Sequence, residues 1–220
     1  MVMDNFIKYK FKKIPESKLI ENSYIYFEKM KTRRTVREFS RQQIPEEVIV
    51  NILKTAATSP SGANKQPWFF YVIKDRELKR KIRTAAERVE TENYKYRFPD
   101  QMKEDLKILE TDATKPFLED APYLIVVCKE LYRIENDMKK KNYYVNESVG
   151  IAIGLLISAI HFTGLATVPY TPNPMSFLKN ILKIPDNLSP VVILPVGYPK
   201  DEIMVPHLSK KILSQIHKIL

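Results

Sequence analysis

Lys31-Thr-Arg-Arg-Thr-Val-Arg37, followed one helix length later by Ser59-Pro-Ser-Gly-Ala-Asn-Lys-Gln-Pro-Trp68, is the stretch on which the reading of this chain turns. Three arginines fall within five residues, just after a helical pattern and ahead of Phe39-Ser40. Taken alone they suit either a solvated helix end, where cations complement the macrodipole, or a clamp for phosphate and an electron-rich ring edge, because guanidinium forks match planar anions. Between the two segments, Pro45 and Glu46-Glu47 open a helix whose apolar face carries Val48, Ile49, Ile52, Leu53 and Ala56. Ser59-Pro60-Ser61-Gly62 ends it. Trp68 to Ile73 then reads as a buried strand from its length and its aromatic and β-branched content.

Toward the N-terminus, residues 1–17 are basic and irregular, and Leu19, Ile20, Tyr24, Phe27 and Met30 recur at helical spacing. Toward the C-terminus, Asp75 caps a charged helix running to about Tyr94, and a polar stretch with Pro99 and Pro116 follows. Tyr123–Cys128 is a second strand, Asn146–Gly164 a long apolar helix, Met175–Leu182 a short helix and Val191–Val196 a third buried strand. The expected fold is α+β, a mixed α/β three-layer sandwich with a central mixed sheet covered by helices on both faces. One domain is expected over residues 1–220. The tail at 205–220 has no partner element, as in segments that pack on a second subunit.

The 220 residues are 44% hydrophobic and 10% aromatic, enough for one sizeable core. Thirty-six basic and 26 acidic residues leave a net charge of +10, compatible with nucleic acid, an acidic surface or a phosphorylated cofactor. The basic residues are spread along the chain with no RNA-binding or helix-turn-helix pattern, so nucleic acid is not the expected partner. Cys128, the one cysteine, sits in an apolar run and reads as a small buried hydrophobe. With no disulfide framework and no leader pattern, a reducing cytoplasm is expected. The apolar run Ile151–Ile160 is half of the roughly 20 residues that span a bilayer, so a core helix and no membrane span are expected. Five glycines, at 62, 150, 154, 164 and 197, allow neither a dinucleotide fingerprint nor a P-loop. His161, His207 and His217 lack metal-ligand spacing, and no metal is expected.

The two opening motifs resemble those of the nitroreductase superfamily of FMN-dependent reductases. Tyr143-Tyr144, the Gly154-Leu-Leu helix, Val168-Pro-Tyr-Thr-Pro172 and Leu194-Pro-Val-Gly-Tyr-Pro199 fit in order, so the resemblance covers roughly residues 20–212. It implies an intertwined homodimer with FMN at the subunit interface. Carried over, Arg33, Arg34, Thr35 and Arg37 would hold the phosphate and flavin edge, and Ser61 and Gly62 would reach the cofactor from the other subunit. Cations there favour an anionic reduced ring. Pro169, Tyr170 and Thr171 would line the flavin, with Thr171 approaching N5, where a hydrogen bond permits one-electron steps. Lys210 stands where the superfamily usually offers arginine to the phosphate, which keeps the charge and loses the fork. Pro169 and Tyr170 stand where animal deiodinases have hydroxyl residues.

Within the superfamily, the iodotyrosine deiodinase branch is marked by a glutamate, a tyrosine four residues on and a lysine about twenty residues later. Glu90, Tyr94 and Lys115 fit this pattern, in a mobile lid expected at about residues 90–116. Glu90 can pair with an ammonium, Lys115 with a carboxylate, and Tyr94 can donate a hydrogen bond and cover a ring. Ala63 would lend a backbone N–H to a substrate phenolate. The expected activity is reductive dehalogenation of 3-halo-L-tyrosines bound as zwitterions, fed by NAD(P)H directly or through a partner reductase. The alternatives are a general nitroreductase or quinone reductase, which needs no zwitterion lid, and a non-catalytic FMN- or tyrosine-binding protein.

Overall fold

A computed structural model describes residues 6–220. They divide into two compact units, the first ending at Arg33 and the second running from Arg34 to Leu220. The first contains α1 (Glu16–Lys31), which forms as its periodicity predicts but buries no residue. Leu19, Ile20, Tyr24 and Phe27 are all exposed.

In the second unit, Pro45 precedes α2 (Glu46–Ala57), whose Ile49, Ile52 and Ala56 are buried. β1 is Trp68–Ile73, and Asp75 caps α3 (Arg76–Glu92) by accepting from the Leu78 amide at 2.7 Å. A π-helical turn, Asn93–Arg97, extends α3, and α4 (Asp100–Ile108) and the single turn α5 (Phe117–Asp120) follow. Then come β2 (Tyr123–Glu130), the hairpin β3 (Tyr132–Glu135) and β4 (Met138–Lys141), and α6 (Val145–Phe162). The chain ends with β5 (Ala166–Thr167), α7 (Phe177–Leu182), β6 (Leu188–Gly197) and an exposed tail holding one short turn, Leu213–Gln215.

The main sheet has the order β1-β2-β6-β5, and each ladder is antiparallel. Among the described residues its parallel component is the bridge Thr35–Thr167, which makes the sheet mixed. β2 is central, and its side chains alternate between two cores as the strand period requires. Leu124, Val126 and Cys128 face α3, α5 and α7, while Tyr123, Ile125 and Val127 face α2 and α6. This is the expected three-layer sandwich. Burial among these side chains pushes the Cys128 thiol up to about 12, leaving it a protonated hydrophobe at neutral pH.

One expectation needs correction, and two elements had no counterpart in the sequence reading. β1 is not a buried strand: it lies at the sheet edge, with Phe69 and Val72 exposed. The stretch from Pro99 to Pro116 contains α4, which the prolines hide from a reading by composition although Pro99 sits just before the helix, where its missing N–H costs nothing. The hairpin β3–β4 was not anticipated, because its polar sequence carries no apolar alternation. α6 is longer than its apolar run, 18 residues with mean hydropathy 1.5. Its buried side packs on α2 and the sheet, while Ile151 and Phe162 remain exposed.

Candidate active site

The site is assembled around the C-terminal end of α3. Lys79, buried on that helix, donates to the carbonyls of Ala121 and Pro122 at 2.6 and 3.4 Å, which pins α3 to the start of β2. Three turns later the helix delivers Glu90 to the interior. Lys115 approaches from the segment before α5, its backbone N–H donating to Glu87 Oε1 at 2.7 Å while Arg83 holds the same carboxylate at 2.8 Å. Lys115 Nζ and Glu90 Oε2 lie 3.9 Å apart, with their side chains only 4% and 8% exposed. That spacing is loose for an ion pair, and burying two charges costs several kcal/mol per ion unless more partners are found.

Those partners come partly from the segment between α3 and α5. Lys115 Nζ donates to Thr111 Oγ1 at 3.2 Å and to the Asp112 carbonyl, and it stands 5.9 Å from the ring centres of both Tyr94 and Tyr170. Tyr94 donates through its hydroxyl to the Thr111 carbonyl at 2.8 Å and meets Phe98 edge to face. Burial holds the Glu90 carboxyl above its ordinary range, opposed by the Lys115 charge and the Tyr170 hydroxyl. Burial likewise holds Lys115 below its ordinary range, opposed chiefly by Glu90.

These residues line a cavity of about 180 Å³ whose walls also include Arg37, Phe117, Pro169 and Thr171. Tyr94, Phe98, Met102 and Leu106 form one side of it. Their spacing of four is a helical stripe, and it was the signal that could have revealed α4. A larger cavity of about 670 Å³ adjoins it, lined by Thr35, Glu38, Asp112 and Val205 among others, and the two share Arg37, Thr111 and Phe117. Its size is in the range of cofactor sites, roughly 300–1,000 Å³.

The structure separates the sequence-predicted site residues into groups. Arg37, Glu90, Tyr94, Lys115, Pro169, Tyr170 and Thr171 meet at the small cavity, and Thr35 joins Arg37 at the large one. Arg34 donates to the Pro206 carbonyl at the same tail segment. Arg33 ends the first unit, and Lys210 is exposed on the tail. Ser61, Gly62 and Ala63 lie in the loop entering β1, at the opposite sheet edge from the Tyr170–Ile193 bridge. Three strand spacings of about 4.8 Å separate those edges by roughly 14 Å. That loop is shaped by its backbone. Ser61 Oγ accepts from the Gln66 amide at 2.9 Å, the Gly62 amide donates to Ser148 Oγ at 3.4 Å, and Ala63, Asn64 and Gln66 take φ of 45°, 53° and 46°. Non-glycine residues so placed store strain that the surrounding contacts must hold. Glu87, Asn93, Thr111 and Phe117 were missed from sequence. Asn93 is buried and donates to the Asn173 carbonyl at 3.0 Å, tying the π-helical turn to the segment after Thr171, a contact with no local signature.

A large groove bordered by arginine beside a small pocket holding a buried carboxylate and ammonium suits a phosphorylated cofactor next to a zwitterionic ligand. The chain belongs to the nitroreductase family, whose model matches residues 30–198. Within that family its relatives include iodotyrosine deiodinases. The protein of that name from Haliscomenobacter hydrossis is 50% identical over 207 residues, covering 94% of this chain and 93% of that protein. Human iodotyrosine deiodinase 1 is 42% identical over 204 residues, covering 92% of this chain and 71% of the human one. A crystal structure of iodotyrosine deiodinase bound to FMN and 3-iodo-L-tyrosine superposes with a TM-score of 0.77 at 34% identity, covering 88% of this chain and all 100% of that one.

Proposed function

We propose that this protein is an FMN-dependent reductive dehalogenase of 3-halo-L-tyrosines. The observation that carries the reading is the loosely spaced, buried Glu90–Lys115 pair under Tyr94. An ammonium and a carboxylate brought by one ligand would complete two charges that the protein leaves imperfectly paired. A general nitroreductase has no use for such a pair and would bear its desolvation cost for nothing.

The residues present fit FMN: Arg37 and Thr35 line the larger cavity, Arg34 reaches its tail wall, Arg37 also borders the smaller cavity, and Thr171 lines that smaller one. Bound and reduced, the flavin supplies the electrons. Overall, the carbon–iodine bond accepts two electrons and one proton and yields tyrosine and iodide. Glu90 and Lys115 hold the amino-acid head, Tyr94 and Phe98 cover the ring, and the lid excludes water. The Ala63 amide serves the phenolate from a second copy of the chain, because one chain keeps its Ser61–Ala63 loop at the far edge of the sheet. A homodimer also gives cover to the exposed apolar residues of α1, the outer side of α6 and the tail. NAD(P)H is the electron source, directly or through a reductase, in a reducing cytoplasm. The test is iodide release from 3-iodo-L-tyrosine under dithionite by the FMN-loaded protein; absence of iodide would sink the reading.

A further inference from the structure

Tyr170 has a different setting from its chain neighbours Pro169 and Thr171, which are exposed. Its backbone is fully committed, its N–H donating to the Ile193 carbonyl and its carbonyl accepting from the Ile193 amide, both at 2.9 Å. Only the side chain remains for function, and it turns inward. The residue is 8% exposed, and its ring meets Phe117 edge to face at 5.5 Å and faces the Lys115 ammonium at 5.9 Å. Its hydroxyl is buried and has no hydrogen-bond partner among the described residues. A buried hydroxyl left in that state is costly, on the order of 1–3 kcal/mol, and the acceptor that shares its cavity is the Glu90 carboxylate.

We infer that Tyr170 is a positioning residue of the zwitterion pocket, whose hydroxyl closes onto the Glu90 carboxylate as donor when substrate binds and so aims that carboxylate at the substrate ammonium. This rests on the deiodinase reading and adds a specificity element to it. The charged and titratable groups around Glu90 are few: Lys115 before α5, Tyr94 on the π-helical turn and Tyr170 on the β6 edge, with Glu87 on the same helix and Arg37 acting on Lys115. Glu90 must be ionised to take an ammonium, and burial opposes that ionisation. Of its neighbours, the Lys115 ammonium and the Tyr170 hydroxyl favour it. The ammonium is itself half-committed to Thr111 and Asp112. The phenol stays protonated throughout the working range, since burial and the adjacent carboxylate both push its ionisation far up, so it is a permanent donor.

The experiment compares wild type with Tyr170→Phe, both FMN-loaded, by quenching of flavin fluorescence with 3-iodo-L-tyrosine and with 2-iodophenol, which lacks the zwitterion. The expected result is that Tyr170→Phe keeps its FMN and its Tm and binds 2-iodophenol as wild type does. Its affinity for 3-iodo-L-tyrosine falls on the order of 5- to 10-fold. The acid limb of that affinity moves to higher pH, because Glu90 loses a group that favoured its charge. A merely structural role would lower the Tm and leave the limb in place. Unchanged affinity and limb, equal losses for both ligands, or loss of FMN would each overturn the inference. If wild type itself fails to distinguish the two ligands, the deiodinase reading falls and Tyr170 falls with it, an outcome visible before the variant is made.

Discussion

Glu90 and Lys115 depart from their ordinary titration in opposite directions for one reason, removal from water. The consequence for binding follows in sign. Glu90 ionises above its ordinary 4.5, so affinity for 3-iodo-L-tyrosine should fall as pH drops through a value above 4.5. Fluorescence titrations between acid and neutral pH would show the limb, and affinity independent of pH there would refute it. Glu90→Gln should weaken the same ligand roughly 10- to 100-fold, the size of a lost charged hydrogen bond of about 1.5–3 kcal/mol, while FMN content stays constant. The identities of Glu90, Tyr94 and Lys115 were legible in the sequence because their spacing is a local pattern. Their mutual burial was not, because it arises from elements 25 residues apart in the chain, Glu90 ending α3 and Lys115 preceding α5.

At the scale of elements, the proposed lid is thinly packed around α4. α4 buries no residue, and Tyr96, Met102 and Ile108 are exposed around it. Few buried contacts mean a low local opening free energy. Limited proteolysis of the FMN-loaded protein should therefore cut between residues 95 and 110, and saturating 3-iodo-L-tyrosine should suppress the cut. Cleavage at equal rates with and without ligand would count against a closing lid. The sheet behaves differently. A Cβ at Gly197 on β6 would lie 2.7 Å from Pro122 Cδ and 3.0 Å from Phe39 Cδ1, a proline ring and a buried core ring. Gly197→Ala should cost about 1–3 kcal/mol by overpacking, read as a fall in Tm. Element types were legible where periodicity was strong, as in α2, β1, α3, β2, α6 and β6. They were lost where a proline or a charged surface masked the pattern, as in α4 and the hairpin of β3 and β4.

For the whole molecule, the distribution of the expected cofactor and substrate contacts over two sheet edges makes a prediction about assembly. Gly62→Val disables the Ser61–Ala63 loop, where a Cβ would come within 2.5 Å of Tyr144, and Glu90→Gln leaves the pocket nearly empty when substrate is held well below that variant's weakened Kd, so both are inactive under that condition. If each site draws on two copies, unfolding and refolding the two inactive variants together should restore about a quarter of wild-type activity through random pairing. No recovery would place a complete site in one chain. The sequence by itself determined the class: its arginine cluster, its Ser-Pro-Ser-Gly-Ala loop, its strand and helix periodicities and its glutamate-tyrosine-lysine spacing are all properties of short segments, read without knowing what lies opposite. Only the tertiary structure decided which of those residues share a cavity, how deeply the Glu90–Lys115 pair is buried, where the Tyr170 hydroxyl points and how far the Ser61–Ala63 loop lies from them. Burial and distance are set by non-local packing, in which a side chain's surroundings come from segments that its own neighbours do not encode.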